Sequence, residues 1–221
     1  MSKLESAKHI THILAAILTI TAVIGGSAWA WQEIRQTRKD QALILENIAR
    51  VNRKAALQQL VANKLKNAPV ELIVSLSDRI HDLCQMKNVP VHLVLGLIEV
   101  ESGWDCKATS SVKAKGLMQI MPATAKPYIM REGFVYTENT LYNPLINVTV
   151  GISYMSDLHD QFVELGAETD TDYTFSINSY FWGQANVTLL LGKKDGRVSG
   201  PNFSYYKRVL EASKQYKDLG L

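Results

Sequence analysis

The chain has 221 residues, of which 47% are hydrophobic, and this is enough to bury one sizeable core and leave a segment over for an appendage. The formal net charge is only +3, and the basic residues are scattered rather than gathered into a run or an aromatic-rich patch, so nucleic acid is not an expected partner. The five histidines and two cysteines lack the spacing of metal ligands, and we expect neither a metal nor a cofactor.

The chain opens with a short polar stretch, residues 1–9, and continues into an apolar segment, residues 10–31, that is about as long as a bilayer-crossing helix. A secretory signal peptide is the alternative, because Lys3 and Lys8 precede the apolar core and residues 28–30 fit a small-x-small cleavage site. Either segment would carry the rest of the chain across a membrane. Of the two, we predict a retained transmembrane anchor.

Residues 32–67 are predicted to form a helical stalk, because apolar residues recur at steps of three and four between positions 41 and 66. Two arrangements are open for this helix. It packs on the following domain as an ordinary amphipathic helix, or it pairs with a copy of itself or with a partner in a larger machine. Pro69 marks the end of the stalk, and residues 68–221 form a separate domain.

The domain is predicted to be mainly α, with a small β-like insertion between residues 106 and 119, where Ser, Lys and Gly alternate with single apolar residues. The predicted helices cover residues 70–87, 90–102, a stretch from 122, 147–165, 173–191 and 204–216. Cys84 and Cys106 flank the second of these helices. Outside the cytoplasm they would be expected to form a disulfide, and the alternative is two separate buried thiols.

Glu99 and Glu101 lie near the end of the second helix, where side chains two residues apart point about 200° away from each other and cannot share one cleft. The apolar stripe of Val94, Leu97 and Ile98 runs into Glu101, so we expect Glu101 to face the interior. Loss of hydration would raise the pKa of this carboxyl, as a general acid requires. Glu99 is expected to be a solvated residue on the other face.

Beyond Glu101-Ser102, the chain carries the string Gly116-Leu-Met-Gln-Ile-Met-Pro-Ala-Thr-Ala125. Together these stretches resemble the soluble lytic transglycosylase family, whose fold is similar to that of goose-type lysozyme. The resemblance continues in the same order through Asn143-Pro144, Asn147, Gly151 and Tyr154, and then through Ser179-Tyr180-Phe-Trp-Gly183. In the last stretch, Phe181 stands where the family has Asn.

The resemblance implies a mainly α (α+β) goose-lysozyme-like fold and cleavage of the MurNAc-β-1,4-GlcNAc linkage of peptidoglycan with formation of 1,6-anhydro-MurNAc. Glu101 would protonate the glycosidic oxygen and then take a proton from the C6 hydroxyl of the same sugar. No second carboxylate stands at a motif position to activate water. The residues implied to bind substrate are Ser102, which would orient Glu101, Met118 and Gln119 in the cleft wall, Asn147, and Tyr180 near the reacting sugar.

Two other functions stay open at this stage. One is a hydrolase of the goose-type lysozyme kind. The other is a non-catalytic peptidoglycan-binding component of an envelope-spanning or phage DNA-delivery machine. In each reading the domain works outside the cytoplasm, on the periplasmic side of a membrane anchor or in the membrane of a phage particle.

Overall fold

The computed structural model describes residues 11–19, 28–167, 169, 173–191 and 203–221. The chain divides into two compact units, Met1–Arg53 and Lys54–Leu221. Residues 11–19 are helical, and a long helix, α1 (Ala28–Lys64), runs from the first unit into the second.

The predicted membrane segment, residues 10–31, lies partly outside the described residues, since positions 10 and 20–27 are not among them. In the part of the chain that is described, no helix combines the length and the apolar character needed to cross a membrane. The transmembrane anchor therefore stays a prediction.

Helix α1 covers most of the predicted stalk, residues 32–67. Its last turns belong to the second unit, where Leu57 and Val61 are fully buried in the core. This stretch packs as an ordinary amphipathic helix, which is one of the two arrangements expected for the stalk. Pairing with a copy or a partner through residues 41–66 stays a prediction.

In its described residues, the second unit consists of helices joined by loops, and α3 is the helix buried among the others. Its helices are α2 (Val70–Met86), α3 (Val91–Ser102), α4 (Pro122–Arg131), a 3-10 turn (Thr140–Tyr142), α5 (Pro144–Glu164), α6 (Thr174–Trp182), α7 (Gln184–Leu191) and α8 (Phe203–Asp218).

The β-like insertion expected between residues 106 and 119 contains no strand in the described residues. Within the described residues, the loop between α3 and α4 has only two isolated bridges, Thr109 with Lys115 and Lys115 with Ile120. The backbone φ is positive at Lys113, Gly116 and Gln119. A turn every three residues leaves no extended run long enough to pair as a strand.

One further expectation is corrected. The single helix predicted over residues 173–191 is broken at Gly183, whose φ of 81° and ψ of 140° no helix can accommodate.

Cys84 and Cys106 are both free thiols, Cys84 buried and Cys106 partly buried. Of the two alternatives left open by the sequence, a disulfide and two separate thiols, the structure has the second.

All residues of α3 from Leu93 to Ile98 are buried. The apolar stripe covers one face of the helix, and α8 packs extensively along the rest. Gly96 makes this close approach possible. A Cβ atom at this position would lie 2.8 Å from the Val209 carbonyl oxygen and 2.9 Å from Ser213 Cβ. The two helices therefore meet backbone to backbone, and this contact sets the position of everything that α8 carries.

We predict that Gly96→Ala destabilises the fold, because α8 cannot move away without giving up its other contacts with α3. Overpacking costs about 1–3 kcal/mol, and alanine recovers about 1 kcal/mol through its higher helix propensity. Urea unfolding should show a net loss. Gln215→Ala, at an exposed site on α8, should change stability by less than about 0.5 kcal/mol. An unfolding midpoint of Gly96→Ala at or above that of the parent chain would contradict this account of the helix contact.

Candidate active site

Glu101 lies in the last turn of α3, largely buried, and the Tyr205 hydroxyl on α8 donates a hydrogen bond to its Oε1. Burial raises the pKa of Glu101, while the hydrogen bond from Tyr205 and the charge of Arg208 act in the opposite direction without cancelling it. The carboxyl therefore keeps its proton to a higher pH than a solvated glutamate does. The inward direction expected for Glu101 and the raised pKa are both present.

Ser102 does not take the part expected for it. Its hydroxyl donates to the Ile98 carbonyl at 3.1 Å and accepts from the Trp104 amide at 3.1 Å, and among the described residues it makes no hydrogen bond with Glu101. These are the bonds of a hydroxyl that closes a helix end. In this structure it is Tyr205 that holds the Glu101 carboxyl.

Asn147, expected to bind substrate, is instead fully buried and holds the loop before α4. Its Oδ1 accepts from the Met118 amide at 2.7 Å, and its Nδ2 donates to the carbonyls of Lys115 and Leu141, each at 2.8 Å. Gly116 lies against the same amide group, where a Cβ would come within 2.4 Å of Asn147 Nδ2. Because the amide group is enclosed and bonded in this way, its role is structural.

Met118 and Gln119 are both expected in the cleft wall, but the structure places them in different surroundings. The Met118 side chain is fully buried, and a Cβ on Gly151 would lie 2.4 Å from its sulfur, so Met118 is a core residue. Gln119 is half-buried, and its Nε2 donates to the carbonyls of Ala108 and Gly116 at 3.1 and 3.0 Å. These two bonds fix its side chain at the surface of the loop.

Gln119 borders a cavity of about 170 Å³. Its walls include Gln119, Thr124 and four aromatic side chains, those of Tyr154, Tyr180, Phe181 and Trp182. Glu101 is not in the wall, but its charge acts on the pKa of Tyr180, which is in the wall. A larger cavity, about 510 Å³, borders the start of α3 and includes His92 and Lys217, but none of the motif residues. The smaller cavity is therefore the better candidate for a substrate cleft.

Tyr180, predicted to lie near the reacting sugar, is in the wall of this cavity, and its contact with a sugar stays a prediction. Its hydroxyl donates to the Met118 carbonyl at 2.8 Å, and its ring lies 5.3 Å from that of Tyr154. Burial and the nearby charge of Glu101 keep the pKa of Tyr180 well above 10, so the phenol stays protonated and remains a donor.

Phe181, the departure from the family pattern, links the cavity to the carboxyl. More than half of its side chain is exposed, and its ring stacks on Tyr205 with centroids 4.5 Å apart and an angle of 20°. Since Tyr205 is the donor to Glu101, an aromatic contact connects the cavity wall with the reactive carboxyl. Sequence reasoning missed Tyr205, although the spacing of Tyr205, Val209, Ser213 and Tyr216 marks one face of α8.

Glu99 is the clearest error of the sequence-based expectations, because it is only partly exposed and is held by three hydrogen-bond donors. Its Oε2 accepts hydrogen bonds from Lys64, Trp104 and Tyr216.

Within the described part of the chain, no group of three or more His, Cys, Asp or Glu side chains is arranged to hold a metal ion.

Comparison with known proteins agrees with these features. The model of the Transglycosylase SLT domain family matches residues 79–197, more than half of the chain, and the chain belongs to this family. The family suggested by the Glu101-Ser102 and Gly116–Ala125 motifs is thereby confirmed. Tyr205 lies beyond the matched stretch.

Similarity to individual proteins covers part of this chain and part of each relative. The soluble lytic murein transglycosylase of Escherichia coli K12 is 29% identical over 143 residues, which is 59% of this chain and 21% of that protein. The membrane-bound lytic murein transglycosylase C of Actinobacillus pleuropneumoniae (strain L20) is 34% identical over 113 residues, 50% of this chain and 31% of that protein. The chain thus spans between a fifth and a third of the length of these relatives.

Among solved structures, the 70 kDa soluble lytic transglycosylase of E. coli superimposes with a TM-score of 0.56 and 24% identity, covering 74% of this chain and 30% of that one. The lytic transglycosylase Slt of Pseudomonas aeruginosa superimposes with a TM-score of 0.53 and 23% identity, covering 63% of this chain and 23% of that one. The fold of this mainly helical chain is therefore the lysozyme-like fold of lytic transglycosylases.

We predict that Tyr205→Phe raises the pKa of Glu101 further, because the hydrogen bond that favours the carboxylate is lost while burial remains. Carbon-13 NMR titration of the glutamate side chains measures this directly, with the Glu101 signal assigned by its absence in Glu101→Gln. Tyr206→Phe, at the next position, should leave the titration unchanged. A fall in the Glu101 pKa in Tyr205→Phe would mean that the hydroxyl does not stabilise the anion.

Proposed function

We propose that the chain is a peptidoglycan lytic transglycosylase that cleaves the MurNAc-β-1,4-GlcNAc linkage and leaves 1,6-anhydro-MurNAc. The observation that carries this proposal is a single buried carboxyl, Glu101, with a raised pKa and a phenol donor, beside an aromatic cavity bordered by the family motif. The named relatives, of which this chain spans only part, support the same activity.

The reaction needs one group that acts first as an acid and then as a base. Protonated Glu101 donates its proton to the glycosidic oxygen as the bond from that oxygen to C1 of MurNAc breaks. The C6 hydroxyl of the same sugar then closes on C1, and its proton passes to the Glu101 carboxylate, so the enzyme is regenerated. Tyr205 donates to the carboxylate and stabilises it between the two proton transfers.

Hydrolysis is the alternative within enzymes, and it requires a carboxylate that activates water on the opposite face of the sugar. Among the described residues that line the cavity, none is Asp or Glu. Because Glu101 is itself outside this lining, attack by the substrate's own hydroxyl is supported by the match to the Transglycosylase SLT domain family rather than by the cavity. A binding module that does not cleave glycan would have no use for a buried acid with a raised pKa, and the Glu101 variant separates that reading from the enzyme.

The aromatic side chains of the cavity suit a sugar ring, because each offers a flat apolar face beside polar groups that orient the ligand. Tyr154, Tyr180 and Phe181 supply these faces, and Gln119 supplies an amide held in place by its two backbone bonds. The glycan would lie across this cavity with the scissile oxygen toward Glu101. Ser102, Met118 and Asn147 contribute by supporting the backbone of the site.

Residues 10–31 are included in the proposal as a membrane anchor that holds the domain outside the cytoplasm. The support is the apolar run in the sequence and the relative that is named membrane-bound. Mass spectrometry of the chain purified from membranes should find residues 10–31 retained. A mature terminus at Trp31 would show instead that the segment is a signal peptide.

Glu101→Gln should abolish the release of muropeptides from purified sacculi, because the amide has no proton to donate to the leaving oxygen. Loss of a general acid costs on the order of 10² to 10⁴ in rate. Glu211→Gln, which removes an exposed carboxyl on α8 that pairs only with Lys214 among the described residues, is the matched control and should keep the parent rate. Equal rates for Glu101→Gln and the control would exclude Glu101 as the catalytic acid.

A further inference from the structure

Glu99 gathers three hydrogen bonds on one carboxylate oxygen. Its Oε2 accepts from Lys64 Nζ at 2.7 Å, Trp104 Nε1 at 2.8 Å and the Tyr216 hydroxyl at 2.6 Å. These donors come from the end of α1, the loop after α3 and the last turn of α8. One side chain on the helix that carries Glu101 thus joins three other segments of the second unit.

The group is unlike an exposed ion pair. The side chains of Glu99 and Lys64 are only 31% and 28% exposed, whereas those of Glu211 and Lys214 are 73% and 67% exposed. Exposed pairs contribute little to stability, but hydrogen bonds to a shielded charge are stronger. Burial acts to raise the pKa of Glu99, yet the bonds from Lys64, Tyr216 and Trp104 outweigh it and lower the pKa. Glu99 is therefore an anion under conditions in which Glu101 can hold its proton.

The three bonds lie where the end of α3 most needs support. Gly103 ends the helix in the left-handed conformation, and Trp104 follows with a φ of 72°, a value that a bulky residue rarely adopts. Trp104 is buried, and its indole nitrogen is bonded back to Glu99. Glu99 precedes Glu101 in the sequence and Trp104 follows it, so the hydrogen bond between them closes the turn that carries Glu101.

Helix α8 holds this turn at two points. Tyr205 donates to Glu101, and Tyr216 donates to Glu99, which faces another direction on α3. Because Trp104 follows Glu101 and is bonded back to Glu99, the last turn of α3 cannot rotate or unwind freely while the bonds to Glu99 are intact. The bonds to Glu99 therefore restrict the motion of the catalytic carboxyl.

We propose that Glu99 is a positioning residue, which fixes the last turn of α3 against α8 and the end of α1 and so keeps the Glu101 carboxyl bonded to Tyr205. It does this without touching the substrate. The inference rests on the proposed lytic transglycosylase function. Glu101 carries out the proton transfers, and Glu99 holds Glu101 in position.

The test uses the full chain and four variants. Glu99→Gln keeps the shape of the side chain and removes its charge, and Trp104→Phe removes one donor and keeps an aromatic ring. Lys64→Met removes the cation, and Glu211→Gln is the control for loss of an unrelated carboxyl. Each is assayed on purified sacculi at a temperature well below its own unfolding midpoint, which circular dichroism supplies.

We expect Glu99→Gln to lower kcat roughly tenfold to a hundredfold with KM nearly unchanged, because a small misplacement of a catalytic group is costly. Trp104→Phe and Lys64→Met should also lower kcat with KM nearly unchanged, but by a smaller factor. Combining Glu99→Gln with Trp104→Phe should cost less than the sum of the two changes, since they break one shared bond. A lower unfolding midpoint with unchanged kcat would overturn the proposal, and so would a rise in KM alone.

A second readout does not depend on activity. If Glu99 keeps Glu101 on Tyr205, Glu99→Gln weakens that hydrogen bond and the pKa of Glu101 rises, as in Tyr205→Phe. Removal of a neighbouring negative charge alone would act in the opposite direction. The other groups that act on Glu101 or lie close to it, Arg208 and Tyr180, are unchanged in this variant.

An unchanged or lowered Glu101 pKa in carbon-13 titration of Glu99→Gln would contradict the positioning role. If the parent chain releases nothing from sacculi, the proposed function fails, and the titration still decides whether Glu99 positions Glu101. The two failures are therefore distinguishable.

Discussion

The contact between α3 and α8 is the interaction on which the site depends. Gly96 lets the two helices meet at their backbones, and this closeness brings two phenols of one helix to two carboxylates of the other. The same contact removes water from Glu101, which raises its pKa, and supplies the hydroxyl that stabilises its anion. Packing of α8 on α3 thus determines both the raised pKa of Glu101 and the position of its carboxyl. The outcome is a pair of glutamates two residues apart with opposite pKa shifts, a pattern typical of sites in which one carboxyl must react and the other must not.

The string from Gly116 to Ala125 after α3, together with Asn147, forms part of the cavity wall and the backbone behind it. Gly116, Met118 and Asn147 are enclosed, and their contacts fix the loop through backbone groups. Gln119, Ile120, Met121 and Thr124 of the string line the cavity, and the amide of Gln119 is held there by two carbonyls. The flat apolar faces of the cavity, which we propose to meet the sugar, come from aromatic residues of α5 and α6. A motif can therefore identify a family without consisting of the residues that meet the substrate, because a precise backbone needs specific side chains behind it.

Local features of the sequence were sufficient for much of the fold. Pro90 and Gly103 bracket α3, which runs from Val91 to Ser102 against a predicted 90–102, and α2 ends within one residue of its prediction. The apolar stripe placed Glu101 toward the interior, since helical periodicity is a local property. The errors share another cause. Glu99 looked solvated because its partners lie 35 and 117 residues away at Lys64 and Tyr216, and no local pattern reports such pairs. The family resemblance predicts that Asn147 and Met118 bind substrate, because it shows which residues the family has at these positions. It does not show the tertiary contacts that these two side chains make.

The central claim is that Glu101 works alone and that the substrate supplies its own nucleophile. Digestion of purified sacculi in water enriched in oxygen-18, followed by mass analysis of the released muropeptides, tests this claim most directly. The account predicts fragments that end in 1,6-anhydro-MurNAc, lighter than the hydrolytic product by one water and free of the label. Reducing MurNAc ends that carry oxygen-18 at C1 would contradict it, because water would then be the nucleophile and a group that activates it would have to exist.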